Sequence, residues 1–244
     1  MNKSLKIANM NFIDAIKVVS VYYLIFISIL VLIVTMSTAV NKSYSVSGLE
    51  LTSMIFIFVC GLNSFKENFY LSQSNNISRK TFLRGIILSI IFISMIMATV
   101  DFIINRIMNL FMLSPTIYDM GYTALRNFNS VSYSGELVQS NSILTIINTI
   151  FLTFVLYCFA YILGLVINMI YFRSNTLMKI AISVIGGALL ITTLSSVSIT
   201  KVLKLILGIN TQNVYIAIFT FVILFIALLG LAKLLIKEAT IKVR

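Results

Sequence analysis

The 244-residue sequence contains no histidine, no tryptophan, one proline and two cysteines, and only 10% of its residues are charged. Without histidine, a His-based zinc site, a Ser-His or Cys-His nucleophile and an HExxH metalloprotease are all excluded. The single proline, Pro115, lies outside every long apolar run, so no predicted span is kinked by proline. Cys60 and Cys158 both fall inside apolar runs, which indicates packing rather than a disulfide framework.

Long apolar runs are what the sequence has in abundance, since 59% of its residues are hydrophobic. Several runs reach about 20 residues, the length of a helix that crosses a hydrocarbon core of about 30 Å. The sequence therefore predicts an all-α, polytopic membrane protein with one transmembrane domain over residues 1–244. Six transmembrane helices are predicted, at residues 18–40, 49–65, 81–105, 143–172, 177–199 and 214–236.

Residues 3–17, ahead of the first apolar run, are predicted to form an amphipathic helix at the membrane interface. At 100° per residue the charges fall on one face and apolar residues on the other, Lys3, Lys6, Asp14 and Lys17 against Leu5, Ala8, Phe12 and Ile16. A signal peptide is the competing interpretation, because residues 37–39 are small. A signal peptide's apolar region is only about 7–15 residues long, so residues 18–40 are read as a retained helix.

The net charge of +11 is typical of a membrane protein that keeps Lys and Arg on the cytoplasmic side, and it does not indicate nucleic-acid binding. With the N-terminus inside, thirteen cations fall on the cytoplasmic side and five outside. Both termini and residues 66–80 are therefore predicted to be cytoplasmic, and residues 107–140 to form an extracellular loop. The strong Ile and Asn usage indicates an AT-rich bacterial genome, so the predicted location is a bacterial cell membrane.

The polar stretch KENFYLSQSNNISRKTFLRG, residues 66–85, lies between two apolar runs. Its cations are explained by topology alone, but its cluster of Phe69, Tyr70 and Leu71 is not, because exposed apolar clusters tend to mark contacts. The local chemistry predicts a short helix from about Phe65 to Leu71, then a Ser/Asn turn, with Ser78 as N-cap of the third span. The simpler alternative is a solvated turn that only fixes topology.

An acidic residue after the second span, a short aromatic-aliphatic helix and the motif ISRKTFLRG resemble the permease subunits of ABC-2 type exporters. The small Gram-positive exporters of toxic or antimicrobial peptides are the most similar group. The resemblance implies that residues 66–80 form a coupling helix that docks on an ATP-hydrolysing subunit. The implied contact residues are Glu67, Phe69, Tyr70, Leu71, Arg79 and Lys80. The limits of this helix stay open, because residues 72–76 replace the Gly- or Pro-containing turn of many members.

The same resemblance implies that the chain is not itself an enzyme and works with partners. It contains no GxxxxGK[ST] phosphate-binding loop, so ATP and Mg²⁺ would be held by a separate ATPase subunit, with no cofactor or metal on this chain. Six spans are half of a twelve-helix translocator, which implies a second permease copy or a homologous permease. The few charges in the spans favour an amphipathic or hydrophobic peptide as the exported substrate.

Two sets of polar residues inside the apolar runs are candidates for the translocation path. Asp101 lies near the outer end of the third span, and an intramembrane acid is a functional hypothesis by default; a solvated or locally paired carboxylate is the alternative. Thr192, Thr193 and Ser196 in the fifth span either line the path or bond to helix carbonyls and neighbouring helices.

Two other function classes remain open. An ion-coupled secondary transporter needs ionisable groups near mid-membrane, and the sequence places none at the centre of a predicted span. A membrane scaffold or sensor without transport activity is the other class.

Overall fold

The computed structural model describes residues 3–39, 46–123, 139, 141–181, 183–184, 186 and 197–237. These residues are mostly helical and contain no β-strand. The helices with defined bounds are α1 (Lys3–Ala39), α2 (Leu49–Asn63), α3 (Lys66–Ser74), α4 (Arg79–Met108), α5 (Ile117–Tyr122), α6 (Ile143–Arg173), α7 (Val197–Ile206) and α8 (Val214–Lys237).

Five helical stretches are long and apolar enough to cross a membrane, which agrees with a multi-pass helical protein. They are Ile7–Ser37, Leu49–Ser74, Arg79–Met108, Ile143–Arg173 and Val214–Lys237. The predicted span at residues 177–199 falls largely outside the described residues, although residues 176–181 are helical. The sixth span therefore stays a prediction.

The first helix, α1, runs without a break from Lys3 to Ala39. Residues 3–17, predicted to form a separate interfacial helix, are its first turns, and the structure marks no boundary near residue 17. The physical reason is that no Gly or Pro occurs between residues 3 and 39 to end the helix. Ile7 and Ala8 are already buried in the bundle. The position of these turns at a membrane surface stays a prediction.

The centre of the bundle is α6, which packs against α2, α4 and α8, while α1 packs along α4. The backbones of α2 and α6 touch where two glycines face each other. A Cβ at Gly61 would lie 2.2 Å from the carbonyl oxygen of Tyr161, and one at Gly164 would lie 2.3 Å from that of Phe58. Small residues permit such crossings in membrane proteins, where close van der Waals packing holds helices together.

After α4 the chain turns back and packs beside the start of α2. The backbone N–H of Val46 donates to the carbonyl of Leu113 over 3.1 Å, and that of Gly48 to Pro115 over 3.3 Å. Ser114 and Thr116 are fully buried. Residues 112–119 of the predicted extracellular loop 107–140 are thus packed against the bundle, while Leu110 and Phe111 are exposed. Non-helical backbone at membrane depth is stable only when protein surrounds it and satisfies its polar groups.

Candidate functional site

Residues 66–74 form α3 at one end of the bundle, which we call the α3 end; the opposite end is the α5 end. The helix extends three residues beyond the predicted Leu71. The hydroxyls of Ser72 and Ser74 donate back to carbonyls of the preceding turn at 2.8 Å. The chain then turns at Asn76, where φ is +52°. Ser78 is the N-cap of α4, as predicted, and its hydroxyl accepts a 3.2 Å hydrogen bond from the backbone N–H of Thr81.

Four phenylalanines hold α3 against the bundle, and we call Phe65, Phe69, Phe82 and Phe172 the phenylalanine cluster. The rings of Phe65 and Phe69 stack with centroids 5.0 Å apart, and Phe69 meets Phe82 of α4 at 5.6 Å and Phe172 of α6 at 6.1 Å. Phe69 is 0% exposed. Although the sequence suggested Phe69 as a partner contact, its ring faces the interior of its own chain.

The other predicted contact residues of this region differ in exposure. Glu67 and Lys80 are exposed, and Leu71 is 46% exposed. Tyr70 is half-buried with its ring edge-on to Phe172 at 5.8 Å. Arg79 is also half-buried, and its Nη1 donates to the carbonyl of Lys237, which joins the start of α4 to the end of α8. The outward side of α3 therefore carries Glu67 and Leu71, with Tyr70 at its edge.

Asp101 lies inside the bundle, and the structure supports the locally paired alternative of the sequence analysis. Its carboxylate is 4% exposed. Oδ1 accepts a 2.9 Å hydrogen bond from the Tyr23 hydroxyl of α1, and Oδ2 accepts one from the Tyr157 hydroxyl of α6. Asp101 of α4 thus links three helices. An isolated carboxylate in this position would be costly, and the two tyrosines reduce that cost.

A second acid, Glu50, is buried in the same region. It stands in the first turn of α2 and is 2% exposed. The Tyr157 hydroxyl oxygen lies 3.3 Å from the Glu50 carbonyl oxygen, so Tyr157 contacts both acidic residues. No described residue forms a hydrogen bond with Glu50 Oε2. Nearby, the hydroxyls of Tyr22 and the fully buried Ser53 are 2.8 Å apart.

Sequence reasoning found Asp101 but missed Tyr23, Tyr157 and Ser53. Each of these three lies in an apolar run, where the aliphatic neighbours dominate the hydropathy of the sequence. The available signal was the presence of hydroxyl groups in runs that otherwise need none. Thr192, Thr193 and Ser196, the other predicted path residues, lie outside the described residues.

At the α5 end, side-chain amides satisfy the backbone of the returning segment. Asn105 Nδ2 donates to the Ser114 carbonyl over 2.9 Å, while the Ser114 N–H donates to Asn109 Oδ1 over 2.7 Å. Gln139 Nε2 donates to the carboxylate of Asp119, which also forms a capping box with Thr116 at the start of α5. We call these five polar side chains and Ser114 the amide network, and its role is structural.

A tyrosine joins α5 to the turn between α7 and α8. The Tyr122 hydroxyl donates to the carbonyl of Leu207 over 2.7 Å. Burial raises the pKa of Tyr122 to about 12, so the hydroxyl keeps the proton that it donates. Among the described residues, no group of three or more Cys, Asp or Glu side chains is placed to hold a metal ion.

Comparisons of this chain with protein-family models, with curated proteins and with solved structures found no match.

Proposed function

We propose that this chain is the membrane subunit of an ATP-driven exporter and that α3 docks on a separate ATP-hydrolysing subunit. One observation carries the proposal. A short helix between two spans is fixed to the bundle by a fully buried ring, Phe69, and turns a side with Glu67 and Leu71 outward. A helix that only reversed the chain would need no aromatic anchor.

The packing around α3 suggests how a docked subunit would act on the spans. Phe69 contacts both Phe82 of α4 and Phe172 of α6, so a force on α3 would displace those two helices. Because α6 touches α2 through Gly61 and Gly164, α2 would follow. Close-packed interiors transmit displacement instead of absorbing it.

The remaining parts of the proposal follow from the resemblance to ABC-2 type permeases. ATP and Mg²⁺ would bind the partner, and a second permease copy or a homologous permease would complete the translocator. The cargo would be an amphipathic or hydrophobic peptide. The site of action would be a bacterial cell membrane with both termini of the chain cytoplasmic.

A second candidate function, ion-coupled secondary transport, is favoured by the buried acids. Asp101 and Glu50 are both buried, and the Tyr157 hydroxyl lies against the Asp101 carboxylate and the backbone carbonyl of Glu50. Acids at such positions are a recurrent feature of proton relays in transporters.

The docking proposal is tested with a charge placed on the outward side of α3. Leu71→Asp is expected to weaken co-purification of ATP-hydrolysing activity at least tenfold, since losing a central interface side chain commonly costs more than about 2 kcal/mol. Leu177→Asp is the matched control, because Leu177 is exposed and follows the turn after α6 at the same end. Equal retention of ATPase activity by wild type and Leu71→Asp would refute docking through α3.

The two candidate functions separate in vesicles that contain the purified chain with its co-purified ATPase. An ATP-driven exporter moves peptide when ATP is supplied and the pH is equal on both sides. An ion-coupled transporter moves its substrate under an imposed pH gradient without ATP, and loses that transport in Asp101→Asn.

A further inference from the structure

A groove of about 760 Å³ opens at the α5 end, between the last turns of α4 and the first turns of α6. Its volume lies within the range of small-molecule sites, about 300–1,000 Å³. Most of its wall is apolar, and Ile103, Ile107, Leu110 and Ile146 contribute to it. The charged side chain in this wall is Arg106.

The guanidinium of Arg106 has unused hydrogen-bond donors. Within the part of the chain that the structure describes, its Nε, Nη1 and Nη2 atoms are buried without a hydrogen-bond partner, while its carbon centre sits 4.9 Å from the ring centroid of Phe102. The neighbouring amides of Asn109 and Gln139 are already engaged inside the amide network. A buried cation without an acceptor is costly. A negatively charged ligand in the groove would therefore stabilise the Arg106 guanidinium.

The nearby acid does not fill that role. Asp119 is close enough to act on Arg106 electrostatically. Its Oδ2 accepts from Thr116 and Gln139, however, and among the described residues its Oδ1 has no hydrogen-bond partner, so it forms no hydrogen bond with Arg106. Asp119 is held by the capping box of α5, so its carboxylate is already engaged at that helix start.

We propose that this groove binds the anionic headgroup of a membrane phospholipid, with the phosphate on Arg106 and an acyl chain along the apolar wall. Two observations select a lipid over a soluble anion. Arg106 lies in the last turn of a membrane-length helix, and arginines near the ends of such helices are expected to reach the headgroups. Ile103 and Ile107 on the outside of α4 and Leu110 just beyond its end are more than half exposed, so the groove opens toward the acyl chains.

The test measures binding of phosphatidylglycerol and phosphatidylcholine to the detergent-purified chain by native mass spectrometry. Wild type is expected to prefer the anionic lipid at least tenfold. Arg106→Gln should lose that preference, because the charge-assisted hydrogen bonds to phosphate are gone, and Arg106→Lys should keep most of it. Leu110→Gln should weaken both lipids equally, since Leu110 is 80% exposed and serves only the acyl chain.

Arg84→Gln is the matched control, because Arg84 is exposed at the opposite end of α4, outside the groove. It should keep the wild-type preference, as should Asp119→Asn. The proposal is overturned if Arg106→Gln keeps the preference, or if Arg84→Gln or Asp119→Asn loses it as fully. Displacement of the lipid by excess inorganic phosphate would show a site for the free anion and would overturn the lipid as occupant.

Discussion

The two ends of the bundle are held together by different kinds of contact. At the α3 end, the phenylalanine cluster joins α3 to α4 and α6 through contacts between apolar rings. At the α5 end, Asn105, Asn109 and Gln139 hold the returning segment through directed hydrogen bonds. The α3 end anchors a complete helix, whose backbone groups are already paired within it. The α5 end contains non-helical backbone, whose N–H and C=O groups need other hydrogen-bond partners.

This difference shows how polar residues in a membrane sequence should be weighed. Polar side chains at the α5 end mostly serve the fold, because each amide has a backbone or side-chain partner. Over the described ranges of the chain, a few buried polar atoms lack such partners, Glu50 Oε2, Asp119 Oδ1 and the Arg106 nitrogens among them. Function is better sought at unpaired groups than at polar groups in general.

The comparison is tested most strongly by removing the anchor of the α3 end. Phe69→Ala is expected to lower the free energy of unfolding by about 3 kcal/mol, the low end for such changes in water-soluble proteins. The low end is expected because a side chain of a membrane protein gains less hydrophobic free energy when it is buried. Unfolding in mixed micelles measures it. Leu71→Ala, on the exposed side of the same helix, should cost less than about 0.5 kcal/mol. Equal costs would mean that the cluster does not anchor α3.

The crossing of α2 and α6 at Gly61 and Gly164 is expected to give the next largest effect on stability. Gly61→Ala should cost about 2–3 kcal/mol, because the added methyl meets the Tyr161 carbonyl at 2.2 Å and backbone cannot yield as a side chain would. The same unfolding measurement applies. Gly230→Ala in α8 is the control, since a Cβ there meets nothing within 4 Å, and it should be neutral or slightly stabilising. A neutral Gly61→Ala would contradict the close crossing.

Tyr157→Phe tests the buried acids between the ends. Removing its hydroxyl leaves Asp101 Oδ2 without this donor, and the expected loss of stability is about 1–3 kcal/mol. The double variant Tyr157→Phe/Asp101→Asn should lose less than the sum of the two single variants, because both partners of one contact are changed. Tyr215→Phe, at a mostly exposed tyrosine, should change stability by less than about 0.5 kcal/mol. Strict additivity of the double variant would show that the contact contributes nothing.

The smallest effects compare one matched pair of helix caps. Ser78 at the start of α4 and Ser142 at the start of α6 lie at opposite ends, and each accepts a 3.2 Å bond from the N–H three residues on. Ser78→Ala and Ser142→Ala should each cost about 1 kcal/mol, and the costs should add. Ser→Asp variants retain the cap and serve as controls. A cost at one end only would show that tertiary packing, not the cap, sets the other helix start.

Sequence patterns predicted the helical class and the presence of several membrane-length helices, because apolar runs of membrane length have few alternative structures. The start of α4 at Ser78 was also predicted, since N-capping is local chemistry. The burial of Phe69 was not, because its ring is covered by Phe82 beyond a turn and by Phe172, which lies far along the chain. The pairing of Asp101 with Tyr23 and Tyr157 needs three helices in register, and a single sequence without structural partners does not contain that register.

The short α2 has a consequence for the surrounding bilayer. Its 15 residues extend only about 22 Å, whereas the hydrocarbon core measures about 30 Å. Leu51, Ile55 and Val59 form its exposed apolar stripe, which covers still less. The stretch Leu49–Ser74 reaches membrane length only because it includes α3, so we expect α2 alone to be accommodated by local thinning of the membrane beside it, at a fraction of a kcal/mol per Å. Lipids with short acyl chains should therefore gather along this stripe, and α3 should lie at the level of the headgroups.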